Sequence, residues 1–173
     1  MNLREELEAL TSPPSITYEW IDEQPKKIEE LKQKYPHDNE LYDPARKDAP
    51  HHNCYMYALD VVSEDIAVAG QIPNSKFIRQ LIEDRTLESF EDSGTAPDGA
   101  IVVYLDESWM PLHAGIKSGN RVISKWGYGY THVWSHREFQ APASYGDRVQ
   151  FFRVPAKDVV VRKFERWADE QGA

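Results

Sequence analysis

The apolar residues of this chain change their period once, and that change sets what it can fold into. Up to about residue 82 they recur at helical spacing; from residue 100 they come in the short runs that suit strands. Leu3, Leu7 and Leu10 predict a helix over 2–10, capped by Asn2 and ended by Thr11-Ser12-Pro13-Pro14. A second helix is expected from about Pro25 to Tyr35, since proline suits a first turn and Ile28 and Leu31 mark one face. Residues 36–53, with Pro36, Pro44 and Pro50, read as an extended arm crossing the surface. Asn53 then caps a helix that starts at Cys54 and shows Tyr57, Ala58, Val61 and Val62 on its apolar face. A turn at Gly70 and Pro73 leads to a helix capped at Asn74-Ser75 and carrying Phe77, Ile78, Leu81 and Ile82.

After an acidic, polar stretch over 86–98, Pro97-Asp98-Gly99 opens into the apolar run 100–105, expected as a buried strand. Residues 111–117 form a second strand and 121–126 a third, joined as a hairpin by Ser118-Gly119-Asn120. Residues 127–147, rich in glycine and aromatics, read as a loop with short strand pieces; 148–154 make a fourth strand. Val160, Phe164, Trp167 and Ala168 predict a last helix over about 156–170. The fold class expected is α+β, helices first and then an antiparallel sheet, with the cysteine helix packed on it. One domain covers 1–173: a helical and extended covering segment over 1–50, a core over 51–155 and a C-terminal segment over 156–173.

Charge narrows the function classes. The net charge is −9, with eleven acidic and three basic side chains over 51–110 against six and ten over 111–173. An acidic chain lacks the basic field that sequence-independent nucleic-acid binding needs, so no nucleic-acid partner is expected. The charged N-terminus has no signal-peptide core, no run approaches a membrane span, and a single cysteine forms no internal disulfide. A cytoplasmic protein is the default, unless a specialised system exports it.

That cysteine carries the candidate chemistry. Cys54 in a first helical turn lies among unpaired N–H groups that favour its thiolate, and a nucleophilic thiol needs a base and a group to orient the base. Of six histidines, His113 is set apart by its place in a strand. Ala114 and Gly115 follow it, small enough for a nucleophile-bearing helix to come close. Around a tight turn Ser124 is expected roughly opposite His113, as the orienting group.

A helix-borne cysteine, Pro97-Asp98-Gly99 into an apolar strand, His113-Ala114-Gly115-Ile116, Gly119-Asn120 and Val122-Ile123-Ser124 follow in that order. This arrangement resembles the papain-like cysteine hydrolases of the NlpC and CHAP type, over roughly residues 50–154. The sequence departs from the pattern in Asn53-Cys54-Tyr55, where that family usually has Asp-Cys and small residues. It departs again at the third position, normally His, Asn or Gln; Lys125, Asn120 or His132 are alternatives to Ser124 there. The resemblance implies a papain-like fold and amide hydrolysis without a cofactor. Cys54 would attack the carbonyl, His113 would protonate the leaving amine, and Asn53 or His52 would add an oxyanion donor to the Cys54 N–H. It implies a peptide or peptidoglycan-like substrate, which without a signal peptide would call for phage lysis or specialised secretion, or a protein amide inside the cell. Trp126, Tyr128 and Tyr130 are the candidate substrate wall.

Two other readings compete. A papain fold without activity would serve as a binding module for a protein partner, which suits a site lacking a usual third residue. His51, His52 and Cys54, with His113, His132 or His136, suggest zinc; no Cys-x-x-Cys or His-x-x-x-His pair supports it, and no metal site is expected.

Overall fold

In the computed structural model, which describes residues 1–13, 15–48, 51–62, 65–66, 71–91 and 93–171, six strands pair antiparallel into one open sheet. They are β1 (Glu40–Asp43), β2 (Ile101–Leu105), β3 (Pro111–Ser118), β4 (Arg121–Lys125), β5 (Val133–His136) and β6 (Arg148–Phe152), in the order β1-β5-β4-β3-β2-β6. Five helices accompany them among the described residues: α1 (Leu3–Thr11), α2 (Tyr18–Leu31), α3 (Cys54–Ala58), α4 (Ser75–Glu83) and α5 (Lys157–Gln171). The architecture is α+β. Pro14, Pro50 and Gly70 of the expected turns lie outside the described residues. No described helix is long and apolar enough to cross a membrane.

Strand alternation sorts the core into two layers. Ile101, Val103, Leu105 and Ala114 point to one face, where they meet Tyr55 and Ala58 of α3, Phe77 and Leu81 of α4, and Phe164 and Trp167 of α5. The opposite face carries Ala100, Val102, Tyr104, Val122 and Phe151. There Trp126 and Trp134 continue the apolar surface beneath Leu7 of α1 and Ile28 of α2. Helices therefore cover both faces, α3, α4 and α5 on one and α1 and α2 on the other.

Local chemistry explains most boundaries. Asn2 and Glu5 form a reciprocal capping box at α1. Asn74 Oδ1 accepts from the N–H groups of Lys76 and Phe77 at α4. Asn53 Oδ1 accepts from Met56 N at 2.9 Å, so the cysteine helix starts where its cap predicts. It is shorter than its apolar face suggested. Asp60 turns left-handed (φ 55°) and Val61 N donates back to Met56 O, closing the helix before Val61 and Val62.

Two elements differ from the sequence reading. α2 begins at Tyr18, capped by Thr17 Oγ1 on Trp20 N, and Pro25 lies inside it rather than at its start. The arm over 36–53 contains β1, which pairs on β5 and forms one edge of the sheet. β5 is one of the short strand pieces expected in the glycine- and aromatic-rich stretch, with Val122 opposite His136 and Ser124 opposite Trp134.

Candidate functional site

Cys54 enters the site from the end of α3. Burial pushes its thiol up from 9.0 to about 11, against backbone N–H groups of Ala114, Tyr55 and Cys54 itself that pull it down. Two of those donors are the first unpaired N–H groups of the helix. The third sits in β3, in the peptide that joins His113 to Ala114. Helix α3 accordingly packs on β3, the histidine strand.

His113 is buried at 2% exposure, opposite Tyr104 in the β2–β3 ladder. Alternation turns its side chain to the Tyr104 face, while Ala114 faces α3. The imidazole stacks on Tyr145, centroids 3.7 Å apart and planes 11° from parallel. Burial first, then the neighbouring His136, holds it well below its ordinary value of 6.5, so the ring is neutral. Its Nε2 has no hydrogen-bond partner, and no hydrogen bond joins it to Cys54. Tyr145 links the two residues: burial first, then the nearby Cys54 charge, pushes its hydroxyl well above 10.

Ser124 does not orient His113. With Ile116 opposite Ile123, the register carries Ser124 to Gly115, two residues from the expected partner. A Cβ on Gly115 would lie 2.8 Å from Ser124 Cβ and 2.8 Å from Ile123 O. The missing side chain makes room for β4; Ala114 is the small residue that meets the cysteine helix. Ser124 Oγ instead donates to His136 Nε2 at 2.8 Å and accepts from Trp126 Nε1 at 3.0 Å. His136 Nδ1 donates to Arg137 O at 2.8 Å, which fixes this tautomer. Burial holds His136 down at about 4.

The supporting candidates are also spent on structure. Asn53 caps α3 through its oxygen and gives its amide to Pro73 O at 2.7 Å. His132 bridges Ala45 N and Ile21 O. Lys125, 3% exposed, donates to Thr131 O at 2.8 Å, and burial lowers its ammonium to about 8. His52 stacks on Tyr57 with centroids 5.9 Å apart. Asn120 stays in the exposed β3–β4 turn, where Gly119 N donates to Asp98.

Of the three wall residues, Trp126 is interior: 2% exposed, stacked on Trp134 and bonded to Ser124. Tyr128 and Tyr130 do line an open groove of about 380 Å³ with Ile16, Thr17, Tyr18, Glu19 and Ile21. Gly129 N donates to His52 O, so the groove's loop is tied to the segment that leads into Cys54.

Tyr104 and Tyr145 surround His113 without having been singled out. Tyr104 was readable as the partner of a strand histidine; Tyr145 had only its place among the loop aromatics. Among the described residues no three His, Cys, Asp or Glu side chains come together as a metal site, so the zinc reading has no ligand set. No protein-family model, curated protein or solved structure matches this chain.

Proposed function

We propose that this chain is a cysteine-dependent acyl-transfer enzyme acting on an amide bond, on a papain-like variation of its α+β architecture. One observation carries the reading: Cys54 opens α3 behind its Asn53 cap, and α3 packs on β3, the strand that carries His113. On this reading Cys54 Sγ passes its proton to His113 and attacks the carbonyl. The N–H groups beside the sulfur hold the oxyanion, His113 protonates the leaving amine, and water releases the acyl group.

Burial opposes a lone thiolate and a lone imidazolium alike. A proton moved from sulfur to imidazole forms both charges together, and their attraction in a dry site offsets the burial. The transfer needs the two atoms within about 3 Å, so the reading requires that the free protein brings Cys54 Sγ and the His113 imidazole together before substrate arrives. The Tyr128 and Tyr130 groove beside residue 52 is where a peptide substrate would lie.

A second reading, a non-catalytic module for a protein partner, is favoured by the commitment of Ser124 to His136. Alkylation separates the two. Cys54 of the enzyme takes up iodoacetamide at about pH 6 faster than a free thiol, because the thiolate is the reacting form. A Cys54 slower than the free thiol in the folded protein leaves the binding module as the reading.

A further inference from the structure

The group expected to orient His113 is engaged elsewhere: Ser124 is bonded to His136, and His113 Nε2 has no hydrogen-bond partner. What lies against the imidazole is a ring. Tyr145 stacks on it with centroids 3.7 Å apart and planes 11° from parallel. Tyr104 leans on the same imidazole at 5.6 Å, and Trp126 meets the Tyr145 ring nearly edge-on at 6.3 Å. Tyr104 is fixed by its strand. Tyr145 instead ends a short 3-10 turn, Ala143–Tyr145, in the loop between β5 and β6. A loop residue keeps such a stack only where the loop itself is held.

The N-terminal helix holds it. Arg4 Nε donates to Ala141 O at 3.2 Å. Arg4 Nη2 donates to Pro142 O and Ala143 O at 3.3 Å and to Gly146 O at 2.7 Å, and Nη1 pairs with Asp147. One guanidinium thus takes up carbonyls on both sides of Tyr145. One turn further along α1, Glu8 accepts from Ser144 N at 3.1 Å and from Ser144 Oγ. Arg4 and Glu8 share a face because they are four residues apart, and the buried Leu7 between them keeps that face on the protein. Beyond the turn, Asp147 N donates to Leu105 O at 3.2 Å, and a Cβ on Gly146 would lie 2.6 Å from the same oxygen. The loop therefore runs tight on the end of β2, with α1 closing it from the other side.

We infer that Arg4 and Glu8 are positioning residues for His113, acting through the Tyr145 ring that they hold on the imidazole. The orienting role that sequence reasoning gave to Ser124 passes to a stacked ring clamped from α1, and the ring acts, not its hydroxyl. The N-terminal helix is thereby part of the site and not only a covering layer. That the oriented imidazole takes the Cys54 proton rests on the acyl-transfer reading above; the clamp on His113 does not.

The test uses the full chain and reads His113 directly. An aromatic ring stacked this closely moves the carbon-bound protons of the imidazole upfield in NMR. That shift is expected in the wild type and in Tyr145→Phe, which keeps the ring. It is expected to vanish in Tyr145→Leu and to shrink in Arg4→Gln, where the ring remains and its clamp is cut. Glu8→Ala cuts the same clamp and gives the same reading should Arg4→Gln fail to fold. A His113 shift unchanged in the folded clamp variants, or lost in Tyr145→Phe, overturns the inference. Iodoacetamide labelling of Cys54 at about pH 6 is expected to slow by about 2- to 10-fold in Tyr145→Leu, the worth of one stacked pair, and to hold its rate in Tyr145→Phe. A lost His113 shift with labelling unchanged tells against the Cys54–His113 pair and leaves the clamp. Slowed labelling with the shift intact removes the clamp and leaves the enzyme reading.

Discussion

Ser124 has one proton and two lone pairs, and Trp126 and His136 use the proton and one of the pairs. Ser124→Ala leaves two buried nitrogens unpaired, for a cost of about 2–4 kcal/mol in urea denaturation. His132 works in a similar way. Pro25 has no N–H, so the carbonyl of Ile21, four residues earlier, loses its helical partner. His132 Nε2 supplies one at 2.7 Å, while Nδ1 accepts from Ala45 N at 2.8 Å. His132→Ala is expected to cost about 2–4 kcal/mol by the same measurement, because a carbonyl and an N–H are stranded together. Neither role could be read from the sequence. Both depend on groups brought together across the fold: Ser124 and His136 by the β4–β5 ladder, His132 and Ile21 by the packing of α2.

The elements most legible in advance were those whose signals are local. Asn2, Asn53 and Asn74 cap the helices they were expected to cap, because a cap acts within three residues. The apolar run 101–105 and the Gly119-Asn120 hairpin follow from period and turn chemistry in the same way. β1 was harder, since it is only four residues long and exists as a strand only by pairing on β5. Register was the costliest miss. A shift of two residues keeps every side chain on its face, so the hydrophobic pattern does not detect it. It was enough to move Ser124 from His113 to Gly115. Gly115 gives an element-scale prediction. In Gly115→Ala the new Cβ would lie 2.8 Å from Ile123 O and 2.6 Å from Val122 Cγ1. The β3–β4 ladder must spread, lowering stability by about 1–3 kcal/mol in thermal or urea unfolding.

At the scale of the whole molecule, the two covered faces bury several groups in their neutral forms. His136 falls from 6.5 to about 4, His113 lies well below 6.5, and His37 and His132 are lowered too, all chiefly by burial. The unfolded chain binds protons at these sites near pH 6.5 and the folded chain does not. Their contribution is therefore complete above about pH 6.5 and is lost as pH falls through about 4. For His136 alone the difference is on the order of 3 kcal/mol. Cys54 works in the opposite direction, its value rising from 9.0 to about 11. Its contribution is complete below about pH 9 and is lost as pH climbs through about 11. The urea midpoint is expected to hold a plateau between those limits and to fall on both sides. An acid flank that starts well above pH 6.5 would contradict the account.

The same alkaline flank bears on the central claim, that Cys54 and His113 act as a pair. Were burial alone to govern the thiol, its alkylation rate would rise in one step toward about pH 11, whatever stands at position 113. A proton shared with His113 adds a second step. The measurement is the rate of Cys54 carboxymethylation across the pH range in the wild type and in His113→Gln. The account predicts a reactive limb with a midpoint below about pH 7 in the wild type, absent from His113→Gln. A single limb near pH 11, the same in both proteins, would contradict it.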